Sequence, residues 1–121
     1  MKKVLITFSV LFFALTISFN AQASSLKENM IEGVKFLDTV EEVDWYRVEG
    51  RSLIIGWKGI PKFFPTPFTM AARRANIATS RKVRVWAVRH TQKNWHVGSG
   101  KSYICFVTAI NGKVTQGNCD R

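Results

Sequence analysis

The chain has 121 residues and a formal net charge of +10 at pH 7, from 18 Lys and Arg residues against 8 Asp and Glu residues. For the residues that follow an N-terminal leader, this length predicts one domain with a single hydrophobic core. No later run is long and apolar enough to cross a bilayer, so no transmembrane span is expected in the mature chain.

The first 23 residues have the three-part pattern of a secretory signal peptide. Lys2 and Lys3 form a short positive region, an apolar run covers 4–19, and Ala-Gln-Ala supplies the small residues that a signal peptidase reads. The apolar run is short for a membrane anchor. We therefore expect cleavage after Ala23, a mature domain at 24–121, and a periplasmic or secreted protein. The sequence has no Asn-x-Ser/Thr site, which favours a bacterial envelope over eukaryotic secretion.

The first element of the mature domain is predicted to be a helix over 26–42. Ser25 and Glu28 form a capping-box pattern, in which a hydroxyl and a carboxylate satisfy free N–H groups at a helix start. Apolar residues recur at helical spacing, at Leu26, Met30, Val34, Leu37 and Val40. Acidic residues lie between them, so the exposed face of this helix should be acidic.

A buried strand is predicted over 45–57, where Gly50 is expected to mark a bulge. The next segment, 57–68, has three prolines in seven residues, which forbid a helix or a central strand. We expect a stiff, extended interaction loop there. Its contact residues would be Trp57, Phe63 and Phe64.

A second helix is predicted over 67–79, with a buried stripe of mostly small residues and with Arg73 and Arg74 on its exposed side. The strand predicted over 81–90 alternates most clearly. One side carries Val83, Val85 and Ala87. The other side carries Lys82, Arg84, Trp86, Val88 and His90.

Two strand-like runs at the end of the chain flank Asn111 and Gly112, the strongest short signal for a β-hairpin. With a two-residue turn at Asn111 and Gly112, the numbers of paired residues sum to 223. The numbers of Cys105 and Cys119 sum to 224, so one bulged residue or a three-residue loop places these cysteines opposite each other for a disulfide. A disulfide also fits an oxidising compartment. The competing interpretation, a catalytic thiol at Cys105 with a histidine base, requires that thiol to be free.

In chain order the predicted elements are α-β-α-β-β-β. Consecutive strands joined by hairpins favour a small antiparallel sheet of about four strands. Two helices on one side of that sheet make the domain α+β, with one disulfide in the C-terminal hairpin.

The run "GSGKS" at 98–102 resembles the end of a phosphate-binding loop. That motif needs a glycine five positions before the Gly-Lys pair and a helix directly after it. Here Trp95 occupies the earlier position and a strand-like run follows Lys101. We therefore interpret 98–102 as a flexible turn that leads into the hairpin, and we predict no nucleotide cofactor.

Charge is distributed unevenly along the chain. Six of the eight acidic residues lie before Trp45, whereas 45–121 has 14 Lys and Arg residues against two acidic ones, a net of +12. Cations attract anionic groups at long range, and aromatic rings interleaved with them provide stacking surfaces. The predicted ligand-binding residues are Arg73, Arg74, Arg84, Trp86, Arg89, His90, Lys93 and Trp95.

The leading hypothesis is a small non-catalytic binding protein whose basic, aromatic strand face (81–101) binds an anionic partner. That partner would be an envelope polymer, a lipid head group or an acidic protein surface, and nucleic acid is less favoured. Structural explanations compete with this hypothesis. Cations on strands guard against edge-to-edge aggregation, Trp86 could be a core residue, and the acidic first helix could cover the basic face.

Two further functions are kept as alternatives. The loop 57–68 could make the protein an inhibitor or an accessory subunit of an envelope machine, because a rigid apolar loop loses little entropy on docking. A weaker alternative is a small secreted hydrolase, which needs a carboxylate or a nucleophile within hydrogen-bond reach of His90 or His96. Two histidines without further ligands nearby predict no metal site.

Overall fold

The computed structural model describes residues 26–60 and 65–119. Its strands are β1 (Val43–Glu49), β2 (Ser52–Trp57), β3 (Val83–Arg89), β4 (Cys105–Ile110) and β5 (Lys113–Gly117), and they form one sheet in that order. Helix α1 covers 26–33 and precedes a 3-10 helix, Lys35–Thr39, while helix α2 is Pro65–Thr79. The α+β class is confirmed, whereas the predicted strand number and the purely antiparallel sheet are wrong. The predicted signal peptide lies outside the described residues.

The fifth strand arises at Gly50, where the chain turns back and divides the predicted strand into β1 and β2. Glu49 pairs with Ser52 across a two-residue turn, and Gly50 has a φ of +60°. A positive φ at the first turn residue matches the right-handed twist of an antiparallel pair, and glycine adopts it without a steric cost. Gly50 therefore forms a hairpin turn and not a bulge.

The sheet is mixed because β2 and β3 run parallel, with Leu53 opposite Val85 and Ile55 opposite Ala87. Two parallel neighbours cannot be joined by a tight turn, and the crossover that they need contains α2. The other three neighbouring pairs are antiparallel. The sequence predicted this helix, but it did not predict that the strands on either side of the helix are neighbours in the sheet.

The helices cover one side of the sheet, which we call the helix side. Small side chains on α2 let it lie close to β3 in the larger core, in which the buried residues include Phe68, Ala71, Ala72, Ala75, Val83, Val85 and Ala87. Met30, Val34 and Leu37 from the N-terminal helices join that core. No helix among the described residues combines the length and the hydropathy that crossing a membrane requires.

The first α-helix is much shorter than predicted, because it ends at Gly33 and a 3-10 helix replaces its last turns. Glycine disfavours a helix interior, which explains why the α-helix stops there. Gly33 also contacts α2: a Cβ at this position would lie 2.8 Å from the Cβ of Ala78. The missing side chain thus allows the two helices to touch.

The C-terminal hairpin and its disulfide are confirmed. Asn111 and Gly112 have φ values of 54° and 76°, as a tight two-residue hairpin turn requires. The register shifts by one residue between Thr108 and Ala109, as the bulge hypothesis required. That shift brings Cys105 and Cys119 together, with their Cα atoms 5.2 Å apart.

Candidate anion-binding surfaces

Half of the sheet side opposite the helices is covered by the loop 90–104, so we call this the loop side. Trp95 of that loop is only 5% exposed and packs against Ile54 and Val88 of the sheet. The Trp86 ring lies 5.3 Å from the Trp95 ring and 4.9 Å from the Tyr103 ring, measured between centroids. These aromatic residues form a second, smaller core. Trp95 is therefore buried, and its ring does not form an exposed surface.

Two side chains of β1 fasten this loop to the sheet. Arg47 donates hydrogen bonds to the carbonyl oxygens of Lys93 and Trp95. Glu49 accepts a hydrogen bond of 3.1 Å from the Val97 N–H and lies 3.0 Å from Nδ1 of His96. The hydrogen bond with His96 is the main reason that the pKa of Glu49 is lowered, and the Val97 N–H and the Arg47 charge lower it further.

Both histidines contact a carboxylate, which the hydrolase hypothesis requires. His90 Nδ1 lies 3.5 Å from an Asp44 oxygen, and His96 pairs with Glu49 as described above. Among the described residues, however, no hydroxyl group hydrogen-bonds to either ring, and both cysteines are joined in the disulfide. Within the same residues, no three His, Cys, Asp or Glu side chains are grouped so as to hold a metal ion.

The uncovered half of the loop side is centred on Arg84. Its Nε donates a 3.1 Å hydrogen bond to the Thr108 hydroxyl, and its guanidinium carbon lies 5.0 Å from the centroid of the Phe106 ring. Strand register places Gln116 beside Thr108, and the exposed Lys113 lies on the same side of β5. We call these five residues the Arg84 face. They lie side by side on β3, β4 and β5.

No carboxylate from the described chain pairs with Arg84. Every ion pair between described residues uses Glu32, Asp44 or Glu49. Glu49 is in the same cross-strand row as Arg84 but two strands away, which is about 10 Å at normal strand spacing. Between Glu49 and Asp120 the sequence has no acidic residue. Helix α1 packs in the core on the helix side, so the acidic helix does not cover this basic face.

A groove lies at the carboxyl ends of β2 and β3, and we call it the Arg89 groove. It has two lobes, of about 510 Å³ and about 500 Å³, and Arg89, Thr91 and Ile104 border both. His90 lines the second lobe only. Arg89 and His90, which the sequence assigned to the basic strand face 81–101, thus lie at the end of the sheet instead.

The predicted ligand-binding residues therefore do not form one patch. Arg73 and Arg74 are exposed on α2, across the sheet from Arg84, and Arg74 lies over the Phe36 ring at 5.0 Å. Lys93 is exposed in the loop, where its carbonyl oxygen binds Arg47. The structure instead joins Arg84 to residues of the C-terminal hairpin, which no local pattern could link to it.

One of the three predicted contact residues of the interaction loop 57–68, Trp57, is buried. Trp57 is 2% exposed and packs in the core, with its ring centroid 6.3 Å from that of Phe68. Trp57 is therefore a core residue in the structure, and the docking of a partner on the loop 57–68 stays a prediction. Phe63 and Phe64 lie outside the described residues.

The chain matches no protein-family model, and neither the curated proteins nor the solved structures contain a significant match to it.

Proposed function

We propose that this is a small, non-catalytic, periplasmic or secreted protein that binds an anionic partner through the Arg84 face. The partner class is an envelope polymer, a lipid head group or an acidic protein surface. One observation carries the proposal. Arg84 is held in place by a hydroxyl and two aromatic rings, and it has no carboxylate partner in the described chain.

The geometry of Arg84 suits recognition of a planar oxyanion. Its Nε–H is used by Thr108, and its terminal NH₂ groups make no hydrogen bond to another described residue. Those groups form the two parallel bonds that arginine offers to a carboxylate or a phosphate. Because the hydrogen bond to Thr108 and the contact with the Phe106 ring already restrain the guanidinium group, less side-chain entropy remains to be lost on binding.

The charge around the face would bring the partner to it. The net charge of +12 over 45–121 produces a positive field, and the acidic residues of α1 lie on the other side of the sheet. A field of this kind accelerates the approach of an anion and weakens as salt rises. The described residues of the Arg84 face include no nucleophile beside a base, which also favours binding over hydrolysis.

Retention on immobilised heparin and on anionic lipid vesicles, measured against salt, tests the proposal. The variant Arg84→Gln should elute from heparin, and leave the vesicles, at lower salt than the wild type. The matched control is Arg73→Gln, which removes the same charge from the opposite side of the sheet. If both variants shift equally, only the net charge matters and the Arg84 face is not the site.

A further inference from the structure

The Arg89 groove has walls that are fixed by hydrogen bonds. His90 N–H donates to the Trp57 carbonyl at 2.9 Å, and Ile104 N–H donates to the Ala87 carbonyl at 2.7 Å. The Gln92 side chain accepts from the Arg89 N–H and donates to a carbonyl of the 101–104 segment. These bonds tie the end of β2, the end of β3 and the approach to β4 together, so the groove is formed before any ligand arrives.

Cations and hydroxyl groups line this groove. Arg89 and Thr91 border both lobes, Lys58 lines one lobe, and Ser102 lines the other. Neither Arg89 nor Lys58 forms an ion pair with a described carboxylate. The carboxylate of Asp44 lies beside His90 and does not pair with Arg89 or Lys58, so these two cations are available to an anion.

Two exposed apolar side chains lie in the same groove. Ile60 is 55% exposed and Ile104 is 36% exposed, and both line the lobe that contains Lys58. A single exposed isoleucine is ordinary on a protein surface. Two that border one concave site beside cations give it an apolar wall and a charged wall. A lobe of about 500 Å³ is also within the size range of small-molecule sites.

We propose that the Arg89 groove binds a small amphiphilic anion, with an oxyanionic head group on an alkyl chain. Arg89 and Lys58 bind the head group, with Thr91 as an additional hydrogen-bond donor. Ile60 and Ile104 contact the chain, whose transfer from water supplies affinity that a bare anion lacks. This site is separate from the Arg84 face, since the two have no residue in common.

Isothermal titration with decyl phosphate and decanoate, each below its aggregation concentration, tests the proposal. Inorganic phosphate lacks the chain, and decanol lacks the charged head. Both amphiphiles should bind more tightly than either of these probes. The variant Arg89→Gln should weaken both amphiphiles by at least about tenfold, because each loses a charge-assisted hydrogen bond. Tighter binding of the phosphate or of the carboxylate identifies the head group.

Two variants separate this site from the other surface. Ile104→Ser should weaken the amphiphiles while leaving inorganic phosphate unchanged. Arg84→Gln should leave both amphiphiles unchanged, so failure here is distinct from failure at the Arg84 face. Any of three results would overturn the proposal. Decyl phosphate could bind no more tightly than inorganic phosphate, decanoate could bind no more tightly than decanol, or neither amphiphile could bind.

Discussion

The indole ring of Trp45 lies directly across Gly56 of the neighbouring strand. The two residues are paired in the β1–β2 hairpin, and a Cβ on Gly56 would lie 2.3 Å from a carbon of the ring. The same indole donates a 2.8 Å hydrogen bond from its Nε1 to the carbonyl of His90. The empty space above Gly56 therefore lets one side chain connect β1, β2 and the residue that follows β3.

We expect Gly56→Ala to lower the free energy of unfolding by about 1–3 kcal/mol, because the new methyl group displaces the Trp45 ring. Urea denaturation followed by fluorescence measures this loss. Gly59→Ala is the matched control, since a Cβ there has no neighbour within 4 Å. A Gly56 variant as stable as the Gly59 variant would show that the ring can move aside freely.

Removal of the disulfide should cost about 3 kcal/mol of unfolding free energy, the chain-entropy value for a loop of this size. The double variant Cys105→Ser/Cys119→Ser avoids leaving one free thiol. Wild-type protein with its disulfide reduced is the control, and it should match the double variant in chemical denaturation. A loss near zero in both samples would mean that β4 and β5 hold together without the bond.

Glu49 should make stability depend on pH on the acid side. Its hydrogen bond with His96 lowers its pKa in the folded state, so its contribution is present above the ordinary value of 4.5. This contribution is lost as the pH falls through the depressed pKa. Glu49→Gln should therefore flatten the acid limb of a plot of urea midpoint against pH. Glu41→Gln, an exposed control, should retain the wild-type slope.

Tyr46 should ionise only at very high pH. Burial is the largest cause that raises its pKa to about 12, and a 2.9 Å hydrogen bond from its hydroxyl to Asp38 adds to it. The contribution of the protonated Tyr46 hydroxyl to the stability of the fold is complete below the ordinary pKa of 10.0. It is lost as the pH rises through about 12.

Spectrophotometric titration of phenolate absorbance tests this prediction. Asp38→Asn should lower the pKa of Tyr46, because it removes a nearby negative charge. Tyr46→Phe identifies which of the two tyrosine steps is affected. An unchanged titration curve in the Asp38 variant would mean that burial alone sets the pKa.

The parts of the fold that the sequence predicted correctly are those set by neighbouring residues. The Asn111-Gly112 turn fixes its own register within a few residues, which is why the Cys105–Cys119 pairing could be worked out by counting. Gly50 lies in the short polar run 49–52 between two apolar stretches. A single glycine in such a position fits either a bulge within one strand or a turn between two strands, so the chain reversal was not predicted.

The candidate site was harder to predict because its residues come from distant parts of the chain. The alternation in 81–90 correctly placed Arg84 and Trp86 on one side of β3. It could not show that Phe106 and Thr108 lie beside them, since that depends on which strand neighbours β3. Nor could it show which half of that side the loop 90–104 covers, because Arg47 fastens the loop from 46 residues earlier in the chain.

Strand β5 forms one edge of the sheet, and the disulfide fastens the end of this strand to β4. β5 is short, largely exposed and rich in polar residues, and it includes Lys113, all features that discourage another chain from pairing with it. Without that strand, the edge would be β4, whose sequence CFVTAI combines high β-propensity with no charge. A chain kept reduced would expose this sequence whenever β5 detached. We therefore expect the bond between Cys105 and Cys119 to protect the protein against aggregation, and oxidation to be needed before the protein accumulates to high concentration.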